Sequence, residues 1–294
     1  MSQYSYLNRG ILINRWIFTL RFNFKEPLRI GIGSEGVLNP IMKIFDGVRE
    51  KPFIPAESVR GPMRSIYTQI LKGYSEFLDE PIKKVVRSHK KDIHVDLEEY
   101  EKDLDKIAEE LEGIDDIRKI LEGLKEDDIR GYYEVIASSI CPICSLFGSR
   151  YLNGRIMFKD VWIDTPTDTY TSTSIDRKSE TVKEGHLVTI EYIPPVKKYF
   201  EIEFTITNLS GDEIKYLKLV ILYLHKVGFD LGSRNSVGFG RLKLDLDESK
   251  ITILEFKSGP NLDEEEVKMN IMRLVNPSKY GRKISCRELI EDML

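Results

Sequence analysis

The sequence predicts an α+β fold, because two different periodicities alternate along the chain. Apolar and polar side chains alternate over residues 15 to 25, as in a strand with one buried face. From Val59 to Leu78 the apolar residues are spaced as on one face of a helix. Later elements are predicted as strands at 155 to 163, 187 to 193 and 199 to 207, a helix at 212 to 227 and a strand at 241 to 247. The order β, α, β, β, α, β is that of the ferredoxin-like, or RRM-type, unit.

The first helix is predicted to begin within residues 54 to 61. Ser58 is a candidate N-cap, and Pro62 is expected in the first turn. Arg60 and Arg64 are four residues apart, so they share a face near the positive end of the helix. Two guanidinium groups there form a candidate phosphate clamp, although arginines on a solvated helix face are also common.

Residues 81 to 139 are predicted to form an acidic helical insertion. Between residues 92 and 128 there are sixteen Asp and Glu but five Lys and Arg, a local balance of −11. The whole chain carries −4, so the remainder carries +7 and its surface is mildly basic. The predicted domains are a palm at 1 to 80 and 140 to 255, with a thumb-like hairpin excursion at 165 to 185, and a helical C-terminal appendage at 256 to 294.

The composition indicates a cytoplasmic protein. A chain of 294 residues with 41% hydrophobic content can build its own core. Three cysteines are too few and too unevenly placed for a disulfide framework, which favours a reducing compartment. The sequence has no signal-peptide pattern and no apolar run of membrane-spanning length, so no membrane partner is expected.

Residues 228 to 241, with the sequence GFDLGSRNSVGFGR, form a glycine-rich run between the second predicted helix and the last strand. Such a run can present consecutive backbone N–H groups to an anion, because glycine has no Cβ. Arg234 and Arg241 add planar donors that suit phosphate. A flexible surface turn is the alternative, and the run matches neither a Walker loop nor a dinucleotide-binding fingerprint.

The sequence CPIC at 141 to 144 has the spacing of a metal-ligand pair. A structural zinc needs four ligands, and His89 and His94, at the other end of the predicted insertion, are candidates for the remaining two. The alternative is that Cys141 and Cys144 are a reduced, packed pair without metal.

Four motifs in order resemble those of the RAMP superfamily of CRISPR-associated proteins. They are FIPAESVRGPMR at 53 to 64, CPICSLFGS at 141 to 149, SIDR at 174 to 177 with KEG at 183 to 185, and the glycine-rich run at 228 to 241. The first is similar to the superfamily motif IPGSSLKGxxR, the second to C/V-x-x-LFG, the third to the thumb segment, and the last to the C-terminal glycine loop. The likeness extends to the repeated backbone subunits of type III (Csm/Cmr-like) effector complexes.

This resemblance implies a subunit that binds guide RNA (crRNA) in antiviral defence. Copies would stack along the guide with other complex subunits, and the thumb would space the duplex of guide and target RNA. Binding any guide sequence requires contacts to phosphate, while base pairing reads the target. Such binding requires no cofactor. The expected RNA-binding residues are Lys43, Ser58, Arg60, Arg64, Arg177, Lys183, Gly232, Ser233, Arg234, Gly238, Gly240 and Arg241.

The loop after the first strand departs from the pattern of family members that cut target RNA. Those members carry an Asp there, whereas this chain has Leu38 or Asn39 at that position. An amide cannot act as a base or bind a metal as a carboxylate does. Asp46, seven residues after Asn39, is the candidate replacement acid, and the histidines form no nucleophile arrangement with a Ser or Cys. We therefore expect RNA binding without cleavage.

Two other functions stay open at the level of sequence. The first is a RAMP-type endoribonuclease, either for target RNA or for the guide precursor. Processing members usually place a histidine near the first helix, and none lies before Ser88. The second is a protein-binding adaptor that acts through the acidic segment at 92 to 128.

Overall fold

The computed structural model describes Leu7 and residues 10 to 33, 38 to 91, 93 to 95, 97 to 125, 128 to 175, 182 to 195, 199 to 259 and 261 to 294. The strands are β1 (Asn14–Phe24), β2 (Leu38–Asn39), β3 (Lys43–Phe45), β4 (Glu50–Ile54), β5 (His89–Lys90), β6 (Ile93–His94), β7 (Ile156–Phe158), β8 (Val161–Trp162), β9 (Asp168–Ile175), β10 (Val182–Tyr192), β11 (Tyr199–Thr207), β12 (Phe229–Asp230), β13 (Arg241–Leu244), β14 (Lys250–Glu255) and β15 (Arg282–Ser285). The helices are α1 (Ala56–Gly73), α2 (Ile82–Ser88), α3 (Glu101–Leu111), α4 (Asp115–Lys125), α5 (Ile129–Ile140), α6 (Pro142–Phe147), α7 (Gly211–Lys226), α8 (Glu264–Val275), α9 (Pro277–Tyr280) and α10 (Cys286–Leu289). Short 3₁₀ turns lie at Ser75–Phe77, Leu97–Tyr100, Asn235–Val237 and Glu291–Met293.

The largest sheet is antiparallel and is built around β1. Its strand order is β12, β13, β1, β11, β7. Strand β11 pairs along one edge of β1, with Arg15 opposite Thr207 and Asn23 opposite Tyr199. The other edge is shared, because β13 pairs with residues 22 to 24 and β14 with residues 14 to 19. Strand β15 pairs with β14 and extends the sheet.

Alternate side chains of β1 and β11 form the centre of the core. Phe18 and Phe22 are at most 1% exposed, and Phe18 stacks on Phe204 with their ring centroids 4.7 Å apart. Helices α1 and α7 join the same apolar cluster and contribute Tyr67 and Leu224. Burying each of these side chains stabilises the fold by on the order of 2 kcal/mol. The mixed α+β fold predicted from the two periodicities is therefore present.

Helix α1 begins at Ala56, within the predicted range of 54 to 61, but its cap differs from the prediction. Ser58 lies inside the helix and makes no side-chain capping hydrogen bond, since the N-cap residue is Pro55. The first free N–H, that of Ala56, donates instead to Oδ1 of Asp160 at 2.8 Å, across 104 residues of sequence. Pro62 lies in the second turn rather than the first. The sequence predicted a cap from a neighbouring residue, but the free N–H at the start of the helix is bound by a carboxylate from a distant segment.

Other predicted elements are divided differently. The strand predicted at 155 to 163 is two strands, with β7 in the main sheet and β8 paired to β4. Strands β9 and β10 form an antiparallel hairpin over the predicted thumb, and β2 pairs in parallel with β10. Within the predicted helical appendage, β15 joins the main sheet beside helices α8, α9 and α10, and Cys286 and Ile290 lie in the core. The division into domains stays a prediction.

The helices between residues 82 and 140 pack as a group. The apolar stripes of α3 and α4 bury Leu104, Leu111 and Leu121, each at most 1% exposed. These residues belong to the same apolar cluster as the sheet. In the parts of the chain that the structure describes, no helix combines the length and apolarity needed to cross a membrane.

Candidate functional site

Two histidines and two cysteines converge in the interior. His89, His94, Cys141 and Cys144 are at most 3% exposed, and their ligand atoms all lie within 4.8 Å of one another. The Cys144 Sγ is 3.4 Å from the His89 Nδ1 and 3.9 Å from the His94 Nε2, and the Cys141 Sγ is 3.9 Å from the His89 Nδ1. Tetrahedral zinc with bonds of about 2.0 to 2.3 Å separates its ligands by roughly 3.3 to 3.8 Å. The four residues can therefore hold a metal ion such as zinc.

Two short elements bring the four ligands together. His89 and His94 are directly opposite each other in the hairpin of β5 and β6. The turn between these strands places Lys91 at a φ of 58°, an uncommon conformation for a residue other than glycine. Cys141 is the N-cap residue of α6, and Cys144 lies one turn further along that helix. The sequence identified these four residues as candidates, but only the fold brings the hairpin to the helix.

A buried carboxylate orients one of the histidines. Glu134 of α5 is 2% exposed. Its Oε2 is 3.0 Å from the Nδ1 of the His94 ring, and its Oε1 accepts a hydrogen bond from the backbone N–H of His94 at 2.7 Å. The His94 Nε2 is thereby left toward Cys144, as is usual for a metal-ligating histidine with a second partner. Burial opposes protonation of His94, but hydrogen bonds with Cys141 and Glu134 outweigh it and raise its pKa to about 9. For Cys141 the hydrogen bonds from Cys144 and the two histidines likewise outweigh burial, and its pKa is lowered, which favours the thiolate that metals bind.

Helix α1 is bound to the β5–β6 hairpin and to the last residue of α6. The Lys72 Nζ donates to the His89 carbonyl at 2.7 Å, and the Arg64 Nη2 donates to the Lys91 carbonyl at 2.8 Å. The Arg60 Nη2 donates to the carbonyl of Phe147. Arg60 and Arg64 thus share one side of α1 as predicted, but each guanidinium already has a carbonyl partner.

The glycines of the run at 228 to 241 differ in what requires them. Gly232 and Gly240 have φ of 82° and 79°, and a Cβ there would lie 2.3 Å from the Arg29 carbonyl oxygen and 2.0 Å from that of Leu231. Gly238 has a φ of 86° with no heavy atom within 4 Å of an added Cβ. Packing therefore requires Gly232 and Gly240, whereas Gly238 faces open space.

The arginines of this run are held in different ways. Arg234 has a φ of 65° and is partly exposed, and its guanidinium has no hydrogen-bond partner among the described residues. Arg241 forms an ion pair with Asp230 at 2.9 Å and donates to the Val227 carbonyl at 2.7 Å. Among the predicted cationic residues whose side chains are described, only Arg234 thus has no described hydrogen-bond or ion-pair partner.

Arg29 connects this run to the loop that follows β1. Its Nη1 donates to the Ser233 Oγ at 3.0 Å, its Nη2 donates to the Asn39 carbonyl at 3.2 Å, and its carbonyl accepts the Ser233 N–H at 2.9 Å. Arg29 is not among the residues predicted from the sequence. The available signal is its position as the one charged residue in the apolar and glycine stretch LRIGIG at 28 to 33.

Glu191, which is also not among the predicted residues, lies at the base of the β9–β10 hairpin. It is 6% exposed, forms an ion pair with Lys43, and accepts from the Thr167 hydroxyl at 2.6 Å and the Ile41 N–H at 3.2 Å. Lys43, a predicted RNA-binding residue, is therefore committed to a buried carboxylate. Asn39, also in this region, donates its side-chain N–H to the Thr189 carbonyl at 3.4 Å.

Asp46 lies at the turn between β3 and β4. Its Oδ1 accepts the N–H groups of Val48 and Arg49 at 2.9 Å, and its Oδ2 is 2.7 Å from the Lys51 Nζ. The hydrogen bond from Lys51 and those from the two N–H groups lower the pKa of Asp46 well below its ordinary value. A carboxylate so strongly stabilised in its ionised form is a weak general base.

The remaining predicted residues are less informative. Arg177 lies outside the described residues. Lys183 belongs to strand β10, but its side chain is not among those described. No described contact joins Arg60 or Arg64 directly to the run at 228 to 241. The structure thus brings together Ser233, Arg234 and Gly232 around Arg29, and places Arg60 and Arg64 beside the cluster of histidines and cysteines.

An antiparallel sheet covered by two helices, with a long glycine-rich connection before β13, defines the class of mixed α+β proteins to which this chain belongs. The family model of the RAMP superfamily matches residues 21 to 243, about three quarters of the chain. The chain therefore belongs to the RAMP superfamily. This membership indicates a CRISPR-related role in RNA binding or processing. No curated protein matches the sequence.

Proposed function

We propose that this protein is a guide-RNA-binding backbone subunit of a type III CRISPR effector complex and that it does not itself cleave RNA. One observation carries the proposal: the glycine-rich run is fixed to the loop after β1 through Arg29, while Arg234, on the same run, keeps a guanidinium without a described partner. A rigid loop with an available guanidinium suits the recognition of phosphate.

We also propose that the palm of this subunit is ferredoxin-like. The strand order β13, β1, β11, β7 supports this, because in the chain these strands are the fourth, first, third and second of a βαββαβ unit with α1 and α7 as its helices. The palm would comprise residues 1 to 80 and 140 to 255, and the hairpin of β9 and β10 would act as the thumb. Residues 81 to 139 would form the insertion and residues 256 to 294 the appendage.

Binding through phosphates would make the subunit independent of guide sequence. Arg234, Gly238 and the neighbouring backbone are the strongest candidates for direct contact, since their groups are accessible. Arg60, Arg64 and Arg241 donate to carbonyls or a carboxylate. We infer that these three mainly shape and charge the surface, and that contacts to the RNA through them are secondary.

The absence of cleavage is inferred from the two candidate positions for a catalytic acid. Asn39 has an amide in place of the carboxylate, and the Asp46 carboxylate is engaged on one oxygen by its own turn and on the other by Lys51 of β4. An endoribonuclease of the same superfamily is the alternative. The protein-binding adaptor finds no comparable support, although the acidic helices remain a candidate surface for other subunits.

We further propose that His89, His94, Cys141 and Cys144 hold a structural zinc ion. The ligand atoms lie within 4.8 Å of one another, with three of the pairs at 3.4 to 3.9 Å. These distances, the burial of all four residues and the orienting carboxylate of Glu134 fit a closed site with four protein ligands. Zinc bound there would crosslink the β5–β6 hairpin to α6.

Binding of a fluorescent 40-nucleotide single-stranded RNA to the purified full chain tests the main proposal. We expect equal affinity for unrelated sequences and a steep loss of affinity with salt. Arg234→Ala should weaken binding about tenfold, or roughly 1.4 kcal/mol. Arg118→Ala, which removes one positive charge from α4, is the matched control and should bind like the wild type.

Strong dependence on guide sequence, or equal losses in both variants, would contradict the proposal. Incubation of the protein with labelled target RNA, complementary guide and Mg²⁺ distinguishes RNA binding alone from the endoribonuclease alternative. Cleavage at regular intervals that disappears in Asp46→Asn would establish the alternative instead.

A further inference from the structure

Arg29 is buried without a carboxylate partner among the described residues, which is unusual for an arginine. It is 9% exposed, and its Nε is buried without a hydrogen-bond partner among the described residues. Its two terminal nitrogens reach Ser233 Oγ and the carbonyls of Asn39 and Pro40, at 3.0, 3.2 and 3.5 Å. A Cβ on Gly31 would lie 2.3 Å from its Nη1, so the chain makes room for this side chain. The guanidinium therefore joins its own loop, through Asn39 and Pro40, to Ser233 in the glycine-rich run, 204 residues later in the sequence.

The charge of Arg29 is not neutralised by contact with an acid. In the described part of the chain it forms no ion pair, and its hydrogen-bond acceptors are neutral carbonyls and a hydroxyl. Burial, followed by the positive charge of Arg234, lowers the pKa of Arg29, and the negative charge of Glu191 opposes this only in part. The charge of Arg29 is thus buried against Ser233, the residue that precedes Arg234, without an ion pair among the described residues. Such a buried charge costs stability unless an anion is supplied.

We infer that Arg29 and Arg234 define a binding site for one phosphate of an RNA backbone. Arg234 contacts the phosphate from the accessible side. Arg29 is a positioning residue behind it: it fixes Ser233 and the start of the run, and its buried charge is compensated when the phosphate binds. The inference deepens the proposed function and rests on it for the identity of the ligand.

The test compares Arg29→Lys, Arg29→Met and Arg234→Met with a matched control, Arg15→Met. Arg15 also has a buried Nε without a described partner, but it lies at the other end of β1, opposite Thr207. RNA affinity is measured over a range of salt concentrations. Inorganic phosphate is tested separately, by the rise in Tm that it causes relative to chloride at equal ionic strength.

We expect about tenfold weaker RNA binding in Arg29→Met and in Arg234→Met, with the slope of log affinity against log salt smaller by about 0.7. The double variant should lose less than the product of the two losses, because both residues serve one phosphate. Arg29→Lys keeps the charge but loses the planar fork, so it should keep the salt slope of the wild type and still bind more weakly. Phosphate should raise the Tm of the wild type and of Arg15→Met, but not of Arg234→Met.

Wild-type affinity and salt slope in a folded Arg29→Met protein would overturn the inference and leave the proposed function intact. A loss of Tm in Arg29→Met equal to that in Arg15→Met, with unchanged RNA affinity, leads to the same conclusion. If the wild type binds no RNA but still shows the phosphate-dependent rise in Tm, the proposed function fails while the anion site stands. If Arg29→Met does not fold, wild-type affinity and salt slope in Arg29→Lys and Arg234→Met would overturn the inference.

Discussion

At the residue scale, the glycine-rich run contains two kinds of glycine. Gly232 and Gly240 are required by close backbone approach to Arg29 and Leu231. Gly238 has a positive φ with free space around it, so its lack of a side chain leaves the backbone accessible. The sequence alone cannot distinguish a glycine required by packing from one that leaves the backbone accessible, because the residue is the same at all three positions.

Substitutions at Gly238 and Gly240 should have opposite consequences. Gly238→Asn should cost about 1 kcal/mol or less of stability, because Asn tolerates a positive φ best among residues with a side chain, but it should weaken RNA binding. Gly240→Ala should cost about 2 to 4 kcal/mol, since the new Cβ would overlap the Leu231 carbonyl oxygen and force the backbone to move. Thermal unfolding and RNA anisotropy measure both effects; a larger stability loss in Gly238→Asn than in Gly240→Ala would contradict this assignment.

At the element scale, Glu191 fixes the base of the β9–β10 hairpin. Its carboxylate links β10 to Lys43, to the Ile41 N–H and to the Thr167 hydroxyl. Burial by itself would raise the pKa of Glu191, but the hydrogen bonds from Lys43, Thr167 and Ile41 outweigh it and lower the pKa. Glu191 therefore adds a buried side-chain link between the hairpin and residues 41 to 43, beside the pairing of β2 with β10.

The stability that Glu191 contributes should depend on pH. Because the folded protein lowers its pKa, this contribution is fully present above the ordinary value of 4.5 and is lost as the pH falls through the lower, folded value. Glu191→Gln should cost about 1 to 3 kcal/mol at pH 7, and the difference in Tm from the wild type should shrink at acidic pH. Glu203→Gln, on β11 in a partly exposed ion pair with Lys159, is the control and should change stability by about 1 kcal/mol or less. A Tm difference for Glu191→Gln that stays constant down to acidic pH would exclude this linkage.

At the scale of the whole molecule, the cluster of histidines and cysteines connects both ends of a long helical segment. The β5–β6 hairpin precedes α3, α4 and α5, and Cys141 follows them directly. A metal ion held there would close a loop of about fifty residues and restrict the unfolded chain. Lys72 and Arg64 of α1 donate hydrogen bonds to carbonyls of the same hairpin. The metal would therefore also stabilise the position of α1.

Removal of the metal should destabilise the whole protein. We expect about one zinc ion per purified chain by elemental analysis, and a strong chelator should lower the Tm by roughly 5 to 15 °C, corresponding to several kcal/mol. Cys144→Ser should lose the zinc and reproduce the effect. Cys286→Ser is the matched control: Cys286 is fully buried outside the cluster, and burial raises the pKa of its thiol to about 12, so its replacement should leave the zinc bound. Metal-free wild-type protein with the same Tm in chelator would disprove the zinc proposal.

The sequence by itself determined the local elements and the motifs. Alternation over residues 15 to 25 and helical spacing from Val59 depend on neighbouring residues alone, so β1 and α1 were predictable. The spacing of Cys141 and Cys144 likewise indicated a ligand pair, and the order of motifs indicated the family. These features are predictable because the interactions that select them act over a few residues.

Only the tertiary structure decided which polar groups are already satisfied. Arg64, Arg60 and Arg29 find partners 27, 87 and 204 residues away in sequence, and Asp160 caps α1 across 104. Hydrogen bonds are short and directional, so their partners depend on how the layers pack and not on sequence distance. For that reason the sequence could identify the cationic residues. Only the fold showed that Arg234 has no described partner, while the three arginines with distant partners donate hydrogen bonds within the protein.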